Sequence, residues 1–132
     1  MSLLQERQQA FIANLADLTE WNDKFTYLID LAQAMPEYPA HLRVPELLLE
    51  GCQSKTYFAC SCDDEGIQIY AASNALIPLG LAAACLDIFT GVPREELIPA
   101  DINFHIVSGL LSHLSPSRAG GLEQMIHRIL SC

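Results

Sequence analysis

The sequence predicts an α+β fold, a small antiparallel sheet covered by helices, and three of its features carry that prediction. Two alternating runs meet at Asp63-Asp64-Glu65-Gly66, which has the composition of a hairpin turn. The stretch from 79 to 89 is apolar around most of a helical circumference, so it belongs in the middle of the fold. Segments at both ends of the chain repeat apolar residues at spacings of three and four, the period of a helix with one buried face. A length of 132 residues suits one domain with a real core, so a single domain over 1–132 is expected.

The elements follow in order. Over 3–17, Phe11, Leu15 and Leu18 share a helical face, with Ile12 alongside. Thr19 is the expected cap of a second helix. There Trp21, Phe25, Leu28 and Ile29 make the apolar stripe, and Asp23 and Lys24 are expected to face outward. Met35-Pro36 ends that helix, and Pro36, Pro39 and Pro45 mark an irregular crossing. In 56–62 the side chains alternate, placing Phe58, Cys60 and Cys62 on one face. The run 67–72 returns beside it, with Ile67, Ile69 and Ala71 on one side and Tyr70 on the other. A strand over 47–49 would complete a three-stranded sheet.

Ser73-Asn74 offers cap chemistry before an apolar helix over 78–90, which Gly91 closes in the left-handed conformation. Pro93 starts a short helix through Ile98, with Glu95 and Glu96 at its positive end. Asp101 is the expected cap of another helix over 102–111. Ser115 and Pro116 are a natural N-cap and first residue for the last helix, where Leu122, Met125, Ile126, Ile129 and Leu130 repeat at three and four. Gly120-Gly121 is unusual inside it, since each interior glycine costs about 1 kcal/mol relative to alanine. Close packing against a neighbour would account for the pair, as would a need to approach a loop or a partner.

Composition narrows the function. Hydrophobic residues are 51% of the chain and charged ones 17%, which is globular. Sixteen acids against seven bases leave a net charge of −9. Such a surface repels nucleic acid and anionic membranes, and it suits a protein partner with a basic patch. The apolar run at 79–89 is too short to span a bilayer. The start has no basic region followed by an apolar one, so no signal peptide is expected. A cytoplasmic location with reduced thiols is therefore the expectation. Five cysteines, without a Cys-x-x-Cys, argue against a disulfide framework and a closed zinc site.

The stretch with the most chemical interest is Gly51-Cys52-Gln53-Ser54. Gly51 suits a sharp turn, with Cys52 at a loop tip and polar Gln53 and Ser54 behind it. The thiol is then either one that a loop offers to a partner, or a small buried residue in a turn, since free cysteines are commonly buried. Cys60 and Cys62 read as strand residues, being too few ligands for a metal, and Cys85 reads as core. Cys132 is expected to be mobile. His105 and His113 are eight apart and would share a helix face, but a Cys-His hydrolase needs one of them beside Cys52 and a third residue to orient the ring. The sequence suggests no such assembly and no phosphate-binding glycine loop. Arg118 would sit at N3 of the last helix, where a cation opposes the helix dipole. It therefore answers either to an ion pair or to an anion nearby, such as a thiolate, whose pKa a cation lowers.

Three stretches together resemble the SufE family of sulfur-acceptor proteins, which includes CsdE. They are Gly51-Cys52-Gln53-Ser54, Ser73-Asn74-Ala75-Leu76-Ile77 through Gly80, and His113-Leu114-Ser115-Pro116-Ser117-Arg118 through Gly121-Leu122. The region from Trp21 to Leu31, with Lys24, Tyr27, Leu28 and Ile29, is also similar to the family's second helix. Asn74, Leu47 and Tyr57 depart from the family pattern, which has aspartate, asparagine and commonly tryptophan there.

The resemblance implies the α+β fold also seen in iron–sulfur scaffolds of the IscU type, and a resting cysteine tucked under its loop. It implies that Cys52 accepts sulfur as a persulfide, with Gly51, Gln53, Ser54 and Arg118 in support. The implied donor is a pyridoxal-phosphate cysteine desulfurase like SufS or CsdA, which the protein would stimulate, and the implied recipient is an iron–sulfur scaffold. On that reading the chain is an accessory to the desulfurase, with no cofactor or metal of its own, acting as a monomer or a homodimer. The alternative is a binding module that docks on desulfurase or scaffold without transferring sulfur.

Overall fold

The computed structural model describes residues 1–51, 54–98 and 101–132. Among these, five α-helices surround one two-stranded antiparallel sheet. Helix α1 (Leu3–Ala16) opens on a capping box in which Ser2 and Gln5 each satisfy the other's backbone N–H. It buries Leu4, Phe11 and Leu15, and Gln8 with them.

Helix α2 (Trp21–Ala32) starts one residue later than a Thr19 cap requires: Glu20 is its N-cap, and no side chain caps it. Lys24 does not face outward. It is buried, its Nζ donates to the Leu15 carbonyl, and it lies 5.3 Å from the Trp21 ring centroid. The last turn of α1 leaves carbonyls without partners at the negative end of its dipole, and a cation from the next helix answers both needs.

Strands β1 (Thr56–Asp63) and β2 (Gly66–Ser73) pair from Thr56↔Ser73 to Asp63↔Gly66, with the turn where its composition places it. Phe58, Ile67, Ile69 and Ala71 are buried, and Cys60 and Cys62 are half-buried. The expected third strand does not form. Pro45–Leu47 is a single 3-10 turn, and only the bridge Leu48↔Tyr57 joins the segment to β1. The reason lies in helix α5 (Pro116–Leu130): Arg128 Nη1 donates to the Leu47 and Phe58 carbonyls and Nη2 to that of Leu48, each at 2.8 Å. These acceptors are therefore satisfied by a side chain instead of by a longer ladder.

Helix α3 (Leu76–Phe89) begins two residues before its expected start and buries residues on every side, Leu81, Ala82, Ala84, Cys85 and Ile88 among them. It contacts α1, α2, α5 and both strands, which makes it the central element. Gly91 closes it at φ 78°, as expected. Arg7 adds a cap from α1, its Nη1 donating to the carbonyls of Asp87, Ile88 and Thr90. Gly66 (φ 97°) must be glycine, because a Cβ there would lie 2.5 Å from the Gly91 carbonyl group.

Beyond α3 the expected helices shrink. Arg94–Glu96 is one 3-10 turn, and Glu96 caps a different helix: its Oε1 accepts from Leu4 N–H at 2.9 Å. Helix α4 (Phe104–Val107) replaces the longer one expected over 102–111. Asp101 does not cap it. The buried Gln8 does, with Oε1 accepting from the N–H groups of Asn103 and Phe104 at 2.8 and 3.0 Å while its Nε2 donates to the Asp101 carbonyl. Gly109, at φ 84°, then breaks the helix beside Trp21. No helix among the described residues is long and apolar enough to cross a membrane.

Candidate functional site

Cys52 and Gln53, two of the residues singled out in the sequence, lie outside the described residues. The limbs on either side of them are held by side-chain hydrogen bonds. Gly51 takes φ 72°, the left-handed turn its type suits, and a Cβ there would meet nothing within 4 Å.

The inbound limb, 47–51, is gripped by one face of α5. Ser117 Oγ donates to the Gly51 carbonyl at 3.3 Å. The Gln124 side chain engages both backbone groups of Glu50, accepting from its N–H at 2.9 Å and donating to its carbonyl. Arg128 closes the series on Leu47 and Leu48. Positions 117, 121, 124 and 128 step along a helix by four, three and four, so they line one stripe, and Gly121 within it is buried. Its neighbour Gly120 is not closely packed, as a Cβ there would meet nothing within 4 Å.

The outbound limb, 54–56, is held by hydroxyls and an amide. Ser54 Oγ lies 3.1 Å from Thr56 Oγ1, which lies 2.8 Å from Ser73 Oγ, and that hydroxyl accepts from Ala75 N–H at 3.1 Å. Asn74 Oδ1 accepts from Lys55 N–H at 3.0 Å, while its own N–H donates to the Lys55 carbonyl. Ser73-Asn74 therefore does not cap α3 as expected: Ala75 is the N-cap, no side chain caps it, and the two polar residues bond to the limb instead.

A cavity of about 440 Å³ is lined by Ser54 of the outbound limb and by Asn74, Ala75, Pro78, Ser115, Ser117 and Arg118. Ala75 and Ser115 are the N-cap residues of α3 and α5, so the positive ends of two helices border it. Among the described residues no carboxylate lines it, and Arg118 adds a full positive charge. The Ser115 cap is as expected, its Oγ accepting from Arg118 N–H at 3.3 Å. Chemically, the cavity favours a small anion and disfavours a cation.

The other thiols sit in a different setting. Cys85 is fully buried in α3, and burial pushes its thiol up to about 12. Burial also raises Cys60, and a contact with Cys132 raises it further. Cys132 is not a loose end: it is half-buried, with its Sγ 3.0 Å from Cys60 Sγ. Among the described residues no group of three or more His, Cys, Asp or Glu is arranged to hold a metal.

The two histidines do not share a helix face, because Gly109 separates them. His113 stacks on Trp21 at 3.8 Å, with Nδ1 2.9 Å from the Gly109 carbonyl. His105 is buried beside Phe104, and its Nδ1 has no hydrogen-bond partner among the described residues. Sequence reasoning missed Gln124, Arg128 and the Thr56–Ser73 pair. The polar spacing along α5 was visible, but nothing in it named the backbone atoms that it meets.

A family model described as SufE, Fe-S metabolism associated domain, matches residues 9–131. The chain is 36% identical over 125 residues to an uncharacterized SufE-like protein of Rhizobium meliloti (strain 1021), covering 91% of this chain and 89% of that one. The solution structure of a hypothetical protein from Thermus thermophilus superposes with a TM-score of 0.75 at 18% identity, over 99% of this chain and 94% of the other. That last likeness is one of fold alone.

Proposed function

The chain belongs to the SufE family, and on that premise we propose that it carries sulfur for iron–sulfur cluster assembly, with Cys52 as the acceptor. The donor is the persulfide of a pyridoxal-phosphate cysteine desulfurase. The Cys52 thiolate attacks the outer sulfur of that persulfide, the bond between its two sulfurs breaks, and the desulfurase cysteine leaves as thiolate. Cys52 then holds the sulfur as a persulfide and gives it to a thiol or scaffold downstream. Clearing the desulfurase persulfide in this way stimulates that enzyme.

The observation that carries the reading is the cavity between Ser54 and Ser117, the residues that flank the cysteine loop or bond to it. Thiolate and persulfide are both anions. Two helix N-termini, three serine hydroxyls and Arg118, with no carboxylate among the described lining residues, favour an anionic sulfur brought to the cavity. On this reading Arg118 answers to an anion held in the cavity. Asn74 fits the same reading, since it makes its bonds to Lys55 without bringing a negative charge to the cavity. The net charge of −9 suits docking on a basic surface of the desulfurase.

The test is incubation with a cysteine desulfurase and L-cysteine, followed by intact mass and peptide mapping. One added sulfur, removable by dithiothreitol and located at Cys52, is expected. Cys52→Ser is expected to abolish the stimulation. Full stimulation by a Cys52-alkylated chain would overturn sulfur transfer and leave a docking module in its place.

A further inference from the structure

We propose that Cys60 and Cys132 are a modification site, a thiol pair that closes to a reversible disulfide and fastens the end of α5 to β1. Their sulfurs are 3.0 Å apart, and a disulfide bond is about 2.05 Å, so roughly 1 Å of approach makes the bond. Cys60 is anchored in the middle of the hairpin by its pairing with Ile69. Cys132 follows the last turn of α5, where helices fray and side chains adjust at little cost. Both are half-buried rather than sealed. Cys60 also lines a cavity of about 410 Å³ with Pro39, His41, Leu42, Leu47 and Tyr70. Cys85 is closed off in the core by comparison.

The co-reactant is a low-molecular-weight disulfide such as glutathione disulfide. The Cys132 thiolate attacks one of its sulfurs, and one glutathione leaves as thiolate. Cys60, whose pKa burial raises, then attacks the Cys132 sulfur of the mixed disulfide and expels the second glutathione. The two thiol protons end on the two glutathiones, the protein is oxidised by two electrons, and glutathione disulfide is reduced by the same two. The ring joins residues 72 apart in the chain, a long loop whose closure constrains the unfolded chain strongly. Because Arg128 lies one turn before Cys132, the bond also anchors the helix end that grips Leu47 and Leu48.

Treating the reduced chain with glutathione disulfide and mapping its peptides tests this. The expected product has lost two hydrogens, contains one peptide linking Cys60 to Cys132, and reverts with dithiothreitol. Cys132→Ser is expected to abolish the link, and Cys62→Ser to preserve it. Cys52→Ser is expected to cross-link as the native chain does, which separates this inference from the persulfide reading. In the linked form, amide exchange over 128–132 is expected to slow about tenfold or more. Glutathione remaining on Cys132 without ring closure, a link through Cys62 or Cys85, or unchanged exchange over 128–132 would overturn the proposal.

Discussion

The limbs that lead into and out of positions 52 and 53 are secured by different means. The inbound limb is gripped through its backbone by side chains of α5 that lie 66 to 81 positions away in the chain. The outbound limb is tied to residues 17 to 19 positions away, at the far end of its own hairpin. One limb therefore depends on how α5 docks, and the other on a hairpin that forms locally. A change at the α5 end should loosen the inbound limb more than the outbound one, with Phe58 of β1 the one strand residue it reaches, whereas a change in the hairpin should reach both the sheet and the start of α3.

Breaking Arg128 should have the largest effect. Arg128→Ala removes three hydrogen bonds and strands the carbonyls of Leu47, Leu48 and Phe58. A loss of about 3 kcal/mol in denaturant unfolding is expected. Amide exchange should quicken at Leu49 and Glu50 more than at Lys55. Equal quickening in both limbs would remove the distinction.

Thr56→Val should come next, at about 1–2 kcal/mol. Thr56 is fully buried, and its hydroxyl joins those of Ser54 and Ser73. Here the quickened amides should be Lys55 and Ala75, with Glu50 unaffected.

Acidification should act on the α5 side. Burial lowers the His105 pKa, and Glu123 of α5 raises it in part. The folded state then binds the proton less readily than the unfolded chain does. That stability is complete above the unfolded value near 6.5 and falls as pH drops below it toward the folded pKa. His105→Gln should flatten this part of the curve of unfolding free energy against pH.

The smallest effect belongs to Ser117→Ala. Its single exposed bond to Gly51 is 3.3 Å long, so stability should change by no more than about 0.5 kcal/mol. Any larger consequence should appear in the rate of sulfur transfer to Cys52, measured with a desulfurase, rather than in folding.

The comparison also separates what could be read in advance from what could not. The Gly51 turn and the Ser115 cap were legible because each is a local signal. Gln124 and Arg128 were not, since their partners are backbone atoms far away in the chain, and any residue type there would present the same carbonyls. Lys24 misled for a related reason. It occupies the polar side of its own helix, yet its charge answers the unsatisfied end of the helix before it. Asp101 was a sound candidate for a cap, but Gln8 reached the same helix start from α1.

Sequence periodicity and turn chemistry were enough to determine the α+β class, the hairpin and its turn, the central apolar helix and the Ser115 start of α5. These rest on residues a few positions apart, whose interactions are set before the chain folds up. Tertiary structure alone decided that 47–49 is a clamped segment and not a strand, that α4 is one turn long, and that Cys132 meets Cys60. Each of those outcomes turns on which distant group reaches a polar atom or a sulfur first, and proximity of that kind exists only once the helices have docked.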